Sequence, residues 1–62
     1  MSFLLAKAKA LYTYTGGNPD ELSFAEGDVV DVVDKLDSEW WQTEQAGMIF
    51  IAPAAYLESL QG

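Results

Sequence analysis

Short apolar runs punctuated by Gly, Pro and other turn formers constrain this chain most, and they make helix a poor reading of it. What is left is a series of short alternating runs separated by turn formers. Ala8 and Ala10 alternate with Lys7 and Lys9, and the run ends in Leu11 and Tyr12. Thr15-Gly16-Gly17-Asn18-Pro19-Asp20 is a dense turn cluster. Leu22 and Phe24 stand two apart, and Gly27-Asp28 marks another turn. Val29 to Val33 is β-branched, with Val30 and Val32 on one face. Asp34 to Glu39 reads as a polar loop, Trp40 to Glu44 as a strand and Gln45-Ala46-Gly47 as a tight turn. Met48 to Ala52 is the partner strand, Pro53 to Tyr56 a single 3₁₀ turn, and Leu57 to Leu60 a last strand.

Five short strands without a crossover helix predict an all-β domain, a small barrel or two packed sheets. The expected core is Ala8, Ala10, Leu22, Phe24, Val30, Val32, Ala52 and Leu57. The connection from Thr13 to Gly27 is long for a domain this small, and such loops are usually functional.

Composition narrows the function classes. With 62 residues the chain has one small core, and it has neither Cys nor His. Disulfides are therefore absent, a zinc site has no plausible ligands, and neither a His-based triad nor a thiol nucleophile can be built. No cofactor or metal is expected, and so small a domain offers little enclosed pocket for paired carboxylates, so catalysis is not expected. The lack of Cys fits a reducing, cytoplasmic compartment. The net charge of −7, with three Lys and no Arg, opposes nucleic acid and anionic membrane surfaces as partners. It favours a partner that carries Lys or Arg. No run approaches the length of a membrane span, and Met1 to Ala6 lacks the basic region and cleavage site of a signal peptide.

Five segments, in order, carry a family resemblance: Ala10-Leu11-Tyr12-Thr13-Tyr14, Asp20-Glu21-Leu22-Ser23-Phe24, Glu26-Gly27-Asp28, Trp40-Trp41, and Pro53-Ala54-Ala55-Tyr56-Leu57. They are similar to the ALYDY, DELSF, diverging-turn, WW and PxxY segments of SH3 domains, with Thr13 in place of Asp. The resemblance spans about residues 7 to 60. It leaves residues 1–6 as a flank or the start of the first strand and 61–62 as a tail. It implies a partly open five-stranded barrel, two small sheets packed orthogonally, with a long RT loop. It also implies a groove for proline-rich, polyproline II peptides lined by Tyr12, Tyr14, Trp40, Pro53 and Tyr56. Asp20, Glu21 and Glu39 would form an acidic specificity pocket for a ligand Arg or Lys, with Ile51 and Asp37 as additional contacts.

The physics of such a groove is independent of the family. A polyproline II helix exposes both its rings and its carbonyls, because it has no internal hydrogen bonds. Tyr and Trp offer an apolar face and a polar handle to match. A ligand already in that conformation loses little entropy on binding. Strand alternation sends Trp40 and Trp41 to opposite faces, so both cannot serve one core, and the resemblance assigns Trp40 to the groove.

The same resemblance exposes departures. Phe50 stands where Gly is usual, Ala52 where a larger core residue is usual, and Thr43 where an aliphatic residue is common. Phe50 is expected to cover the space the two small residues leave. Ala55 replaces an Asn that would donate to the ligand. The implied role is a monomeric interaction module of a longer adaptor or scaffold protein, in the cytoplasm at the actin-rich cortex or in endocytosis. The alternative reading is a module that docks within its own protein or on a non-proline surface.

Overall fold

The computed structural model describes residues 4–60. The expected tail, 61–62, and the first three residues of the expected flank lie outside the described residues. Five strands follow in chain order: β1 (Ala6–Ala10), β2 (Val29–Asp34), β3 (Trp40–Gln45), β4 (Met48–Pro53) and β5 (Leu57–Leu60). A single 3₁₀ turn, Ala54–Tyr56, separates the last two, and no α-helix occurs among the described residues. The strands form one antiparallel ladder in the order β4-β3-β2-β1-β5. The all-β, five-stranded expectation is met. The two small sheets implied by resemblance are here one continuous ladder, because β2 belongs to both halves. Its register shifts between Val32 and Asp34, an irregularity of the kind that bends and twists a strand.

Alternation explains the core. Along β1 the small Ala8 and Ala10 face inward while Lys7 and Lys9 stay in water. Val30 and Val32 do the same on β2. All eight residues expected in the core are buried, joined by the fully buried Thr43. Thr43 can sit there because its hydroxyl donates to the Phe50 carbonyl at 3.0 Å, so burial leaves no polar atom unsatisfied. Phe50 lies directly across the ladder from Thr43 and, half-buried, packs on the core cluster beside Ala52. The aromatic ring thus covers the side of the core where two small residues stand, as expected.

The long loop between β1 and β2 is anchored by backbone, not by regular strand. Tyr14 and Phe24 exchange a pair of N–H···O bonds of 2.9 Å across it. Its returning arm docks on β4: Ile51 N–H donates to the Asp20 carbonyl, and Leu22 N–H donates to the Ile51 carbonyl, both at 2.8 Å. Leu22 and Phe24 drop from this arm into the core. One edge of the sheet is thereby partly covered.

The β3–β4 hairpin turns on two residues, Ala46 and Gly47, with φ of 53° and 78°. Two positive φ values define the turn type whose twist suits a hairpin, and the first of them is unfavourable for a residue with a Cβ. Replacing Ala46 with Asn, which tolerates that conformation, is expected to raise stability by about 0.5–1 kcal/mol. Urea unfolding of Ala46→Asn measures this, and an unchanged or lower midpoint would contradict the turn geometry.

Candidate functional site

The ends of three segments converge on one face. Tyr12 and Tyr14 leave β1 on alternate positions, Trp40 opens β3, and Tyr56 closes the 3₁₀ turn. Their rings form an unbroken run. The centroids of Tyr12 and Tyr56 are 5.6 Å apart, those of Tyr56 and Tyr14 are 5.3 Å apart, and those of Tyr14 and Trp40 are 6.5 Å apart. All three contacts are edge-to-face, which suits the positive edge and negative face of aromatic rings. Such packing leaves ridges between rings. Tyr12 is 58% exposed, and Tyr14, Trp40 and Tyr56 are half-buried. Pro53 is buried, paired across the ladder with Trp40, and serves as support beneath the surface.

Strand alternation separates the two tryptophans as expected. Trp40 joins the ring run, whereas Trp41 is opposite Ala52 and packs on the core cluster. The Lys35 ammonium lies 4.4 Å from the Trp41 ring centroid and also donates to Ser59 Oγ at 2.5 Å. This cation–aromatic contact had no local sequence signal, since Lys35 lies in the loop and Ser59 in β5.

Glu21 is held inside its own loop. The Tyr14 hydroxyl and the Gly17 N–H, the latter at 3.2 Å, donate to Oε1, and the Asn18 amide donates to Oε2 at 2.5 Å. These donors, Tyr14 foremost and then Asn18, hold the Glu21 carboxyl below its ordinary value of 4.5. The same bond holds the Tyr14 hydroxyl above its ordinary 10.0. Gly16 makes the arrangement feasible: a Cβ there would sit 2.7 Å from Glu21 Cβ. The parts played by Gly16, Gly17 and Asn18 were not foreseen; their only signal was the density of turn formers beside an acid.

Consequently the Tyr14 proton is engaged within the domain. Among the described residues, no internal hydrogen bond uses the Tyr12 or Tyr56 hydroxyl or the Trp40 indole N–H. Three donors therefore stand ready along the ring run.

The remaining expected residues are distributed around it. Asp20 is exposed, next to the docking point of the long loop on the half-buried Ile51. Asp37 is exposed, and its carboxylate accepts the Glu39 and Trp40 N–H groups at 2.8 and 3.2 Å, which shapes the loop ahead of Trp40. Glu39 is exposed, and its carbonyl accepts the Ala54 N–H at 2.9 Å, tying that loop to the 3₁₀ turn. A cleft of about 600 Å³ opens there, lined in part by Glu39, Trp40, Trp41 and Pro53. It does not include Asp20 or Glu21.

Comparison with known proteins agrees with this geometry. The family model described as SH3 domain matches residues 9–49. The myosin IC heavy chain of Acanthamoeba castellanii is 46% identical over 52 residues, 84% of this chain, and the chain spans 4% of that protein's length. The C-terminal SH3 domain of myosin IB from Entamoeba histolytica, solved with an EhFP10(GEF) peptide, superposes with a TM-score of 0.81 at 39% identity, over 98% of this chain and all of that one. The Acanthamoeba myosin I SH3 domain bound to Acan125 gives a TM-score of 0.79 at 38% identity, over 89% of this chain and 95% of the other. With the family segments, the five-stranded ladder and the ring run in agreement with these matches, the chain belongs to the SH3 domain family.

Proposed function

We propose that residues 7–60 form a module that binds proline-rich peptides in the polyproline II conformation, within a longer adaptor or scaffold protein. The observation that carries this reading is the run Tyr12–Tyr56–Tyr14–Trp40 with three unengaged donors along it. The ridges between rings take successive prolines, and Tyr12, Tyr56 and Trp40 donate to the ligand's free carbonyls. Pro53 supports the groove from below, and Ile51 and Asp37 hold its flanking loops. One similar domain is solved with a peptide and another with Acan125, which supports a binding role for this module.

A ligand Arg or Lys meets the acidic end. Asp20 and Glu39 are exposed, and their carboxylates have no internal partner among the described residues. Glu21 already accepts three hydrogen bonds, so it adds field and holds the loop in shape while the other two make the closer contacts. Exposed pairs contribute only about 0–1 kcal/mol each, so the acids set orientation and encounter rate more than affinity. The module is monomeric and acts by binding, without catalysis. Kinship with a myosin heavy chain supports a cytoplasmic place at the actin-rich cortex.

Titration calorimetry with a proline-rich peptide containing one Arg tests the groove. Trp40→Ala is expected to weaken binding by more than about tenfold while the domain keeps its strand spectrum. Full-strength binding by a folded Trp40→Ala domain would contradict it.

The Glu21 clasp has its own pH signature. A carboxyl depressed on folding contributes stability that is present above the unfolded value and is lost as pH falls through the lower folded value. Tyr14, raised on folding, contributes stability below about 10 that is lost as pH rises through its folded value. Urea midpoints of the natural chain should therefore fall more steeply on acidification below 4.5 than those of Glu21→Gln. In Tyr14→Phe the Glu21 carboxyl should titrate at higher pH by NMR. Equal acid slopes in the two chains would show that the clasp does not form.

A further inference from the structure

The long loop covers only part of the β4 edge. β4 is the outermost strand on its side of the ladder, so one row of its backbone N–H and C=O groups faces away from β3. Ile51 commits its pair to the loop: its N–H donates to the Asp20 carbonyl, and its own carbonyl accepts the Leu22 N–H. Alternation turns the same two groups of Ile49 to that side. Neither joins a backbone bond outside the strands among the described residues.

Edges of this kind are normally shielded by charge, proline or a covering segment. Here the uncovered residues are apolar. Met48 is 60% and Ile49 is 55% exposed, and with Phe50 and Ile51 they form an unbroken apolar run. The core uses Phe50 and Ala52, and the loop docks on Ile51. Met48 and Ile49 belong to neither arrangement.

Three observations define what fits there. A row of open backbone groups fits an extended strand, and Ile51 already accepts one from the long loop. Apolar side chains on successive residues, and so on both faces of the edge, call for apolar surface on that strand. The net charge of −7, with Glu44 directly across the ladder from Ile49, favours a basic segment and opposes a second copy of this chain.

We propose that the hairpin half of β4 is a second docking surface, which takes an extended segment of another protein, alternating β-branched apolar residues with lysine, by strand addition. Antiparallel addition lets one partner residue exchange both bonds with Ile49. Its side chain then lies beside that of Ile49, and the lysine stems on either side cover Met48 while their ammonium groups stay in water. Met48 and Pro53 stand at opposite ends of β4, about 17 Å apart at the usual strand rise, so this surface works independently of the ring run.

The experiment is an NMR titration of the isotopically labelled domain with a capped pentapeptide of alternating lysine and valine. Two further peptides serve as comparison: one N-methylated at both valines, and one with glutamate in place of lysine. The first peptide should shift the amides of Glu44, Gln45, Gly47, Met48 and Ile49 and slow solvent exchange at Ile49. The other two should bind at least about tenfold more weakly, as should the first peptide to Ile49→Lys. The ring run should stay in place, and a saturating proline-rich peptide should leave these affinities unchanged. Equal binding of the N-methylated peptide, or no shift at the hairpin, overturns strand addition at this edge. Equal binding of the glutamate peptide, or self-association of the domain through Met48 and Ile49, overturns the basic partner. Failure of proline-rich peptides at the ring run would overturn the groove reading and leave this surface standing.

Discussion

The pairing of β3 with β4 is the constraint on which the rest of the domain depends. With Trp40 opposite Pro53 and Trp41 opposite Ala52, alternation sends Trp41, Thr43, Phe50 and Ala52 toward the core side and leaves Trp40 on the face of the ring run. A slip of one residue would exchange the faces, burying Trp40 and exposing the core. The two-residue hairpin turn holds the register at one end. The docking of the long loop on Ile51 holds β4 from its outer side.

The core served by that register is thin. Three of its eight buried apolar residues are alanines, and a domain of this size buries a modest share of its surface. The domain therefore gains order from polar devices at its margins. Thr43 is buried with its hydroxyl satisfied, Asp37 and Asp28 shape turns through backbone N–H groups, and Glu21 gathers three donors in a loop that has little apolar content of its own. The last device ties the loop to the ring run, because Tyr14 is both a donor to Glu21 and a member of that run. A loop fixed in this way presents its aromatic residues already arranged, which lowers the ordering that a ligand must bring about.

Much of this was legible in the chain because its signals are local. Alternation along β1 and β2 and the two-apart spacing of Leu22 and Phe24 gave the buried faces directly, and Ala46-Gly47 between two alternating runs gave the hairpin. The four rings were identifiable from the family segments, though not their order in space, which follows from three chain segments meeting at one end of the sheet. What escaped was long-range or depended on side-chain reach. The Lys35–Trp41–Ser59 contact joins a loop to two strands. The engagement of Glu21 depends on a loop conformation that Gly16 permits. The resemblance groups Glu39 with Asp20 and Glu21 but carries no sign of the cleft that Glu39 lines with Trp41 and the 3₁₀ turn.

Trp40, and not Trp41, is proposed to meet the proline-rich core of a ligand. The most direct measurement follows the two indole N–H resonances while a core peptide without flanking residues is added to saturation. The Trp40 signal should move and exchange more slowly with solvent, as its donor takes a ligand carbonyl, and the Trp41 signal should stay in place. Movement of Trp41 alone, or of neither, would contradict binding at Trp40.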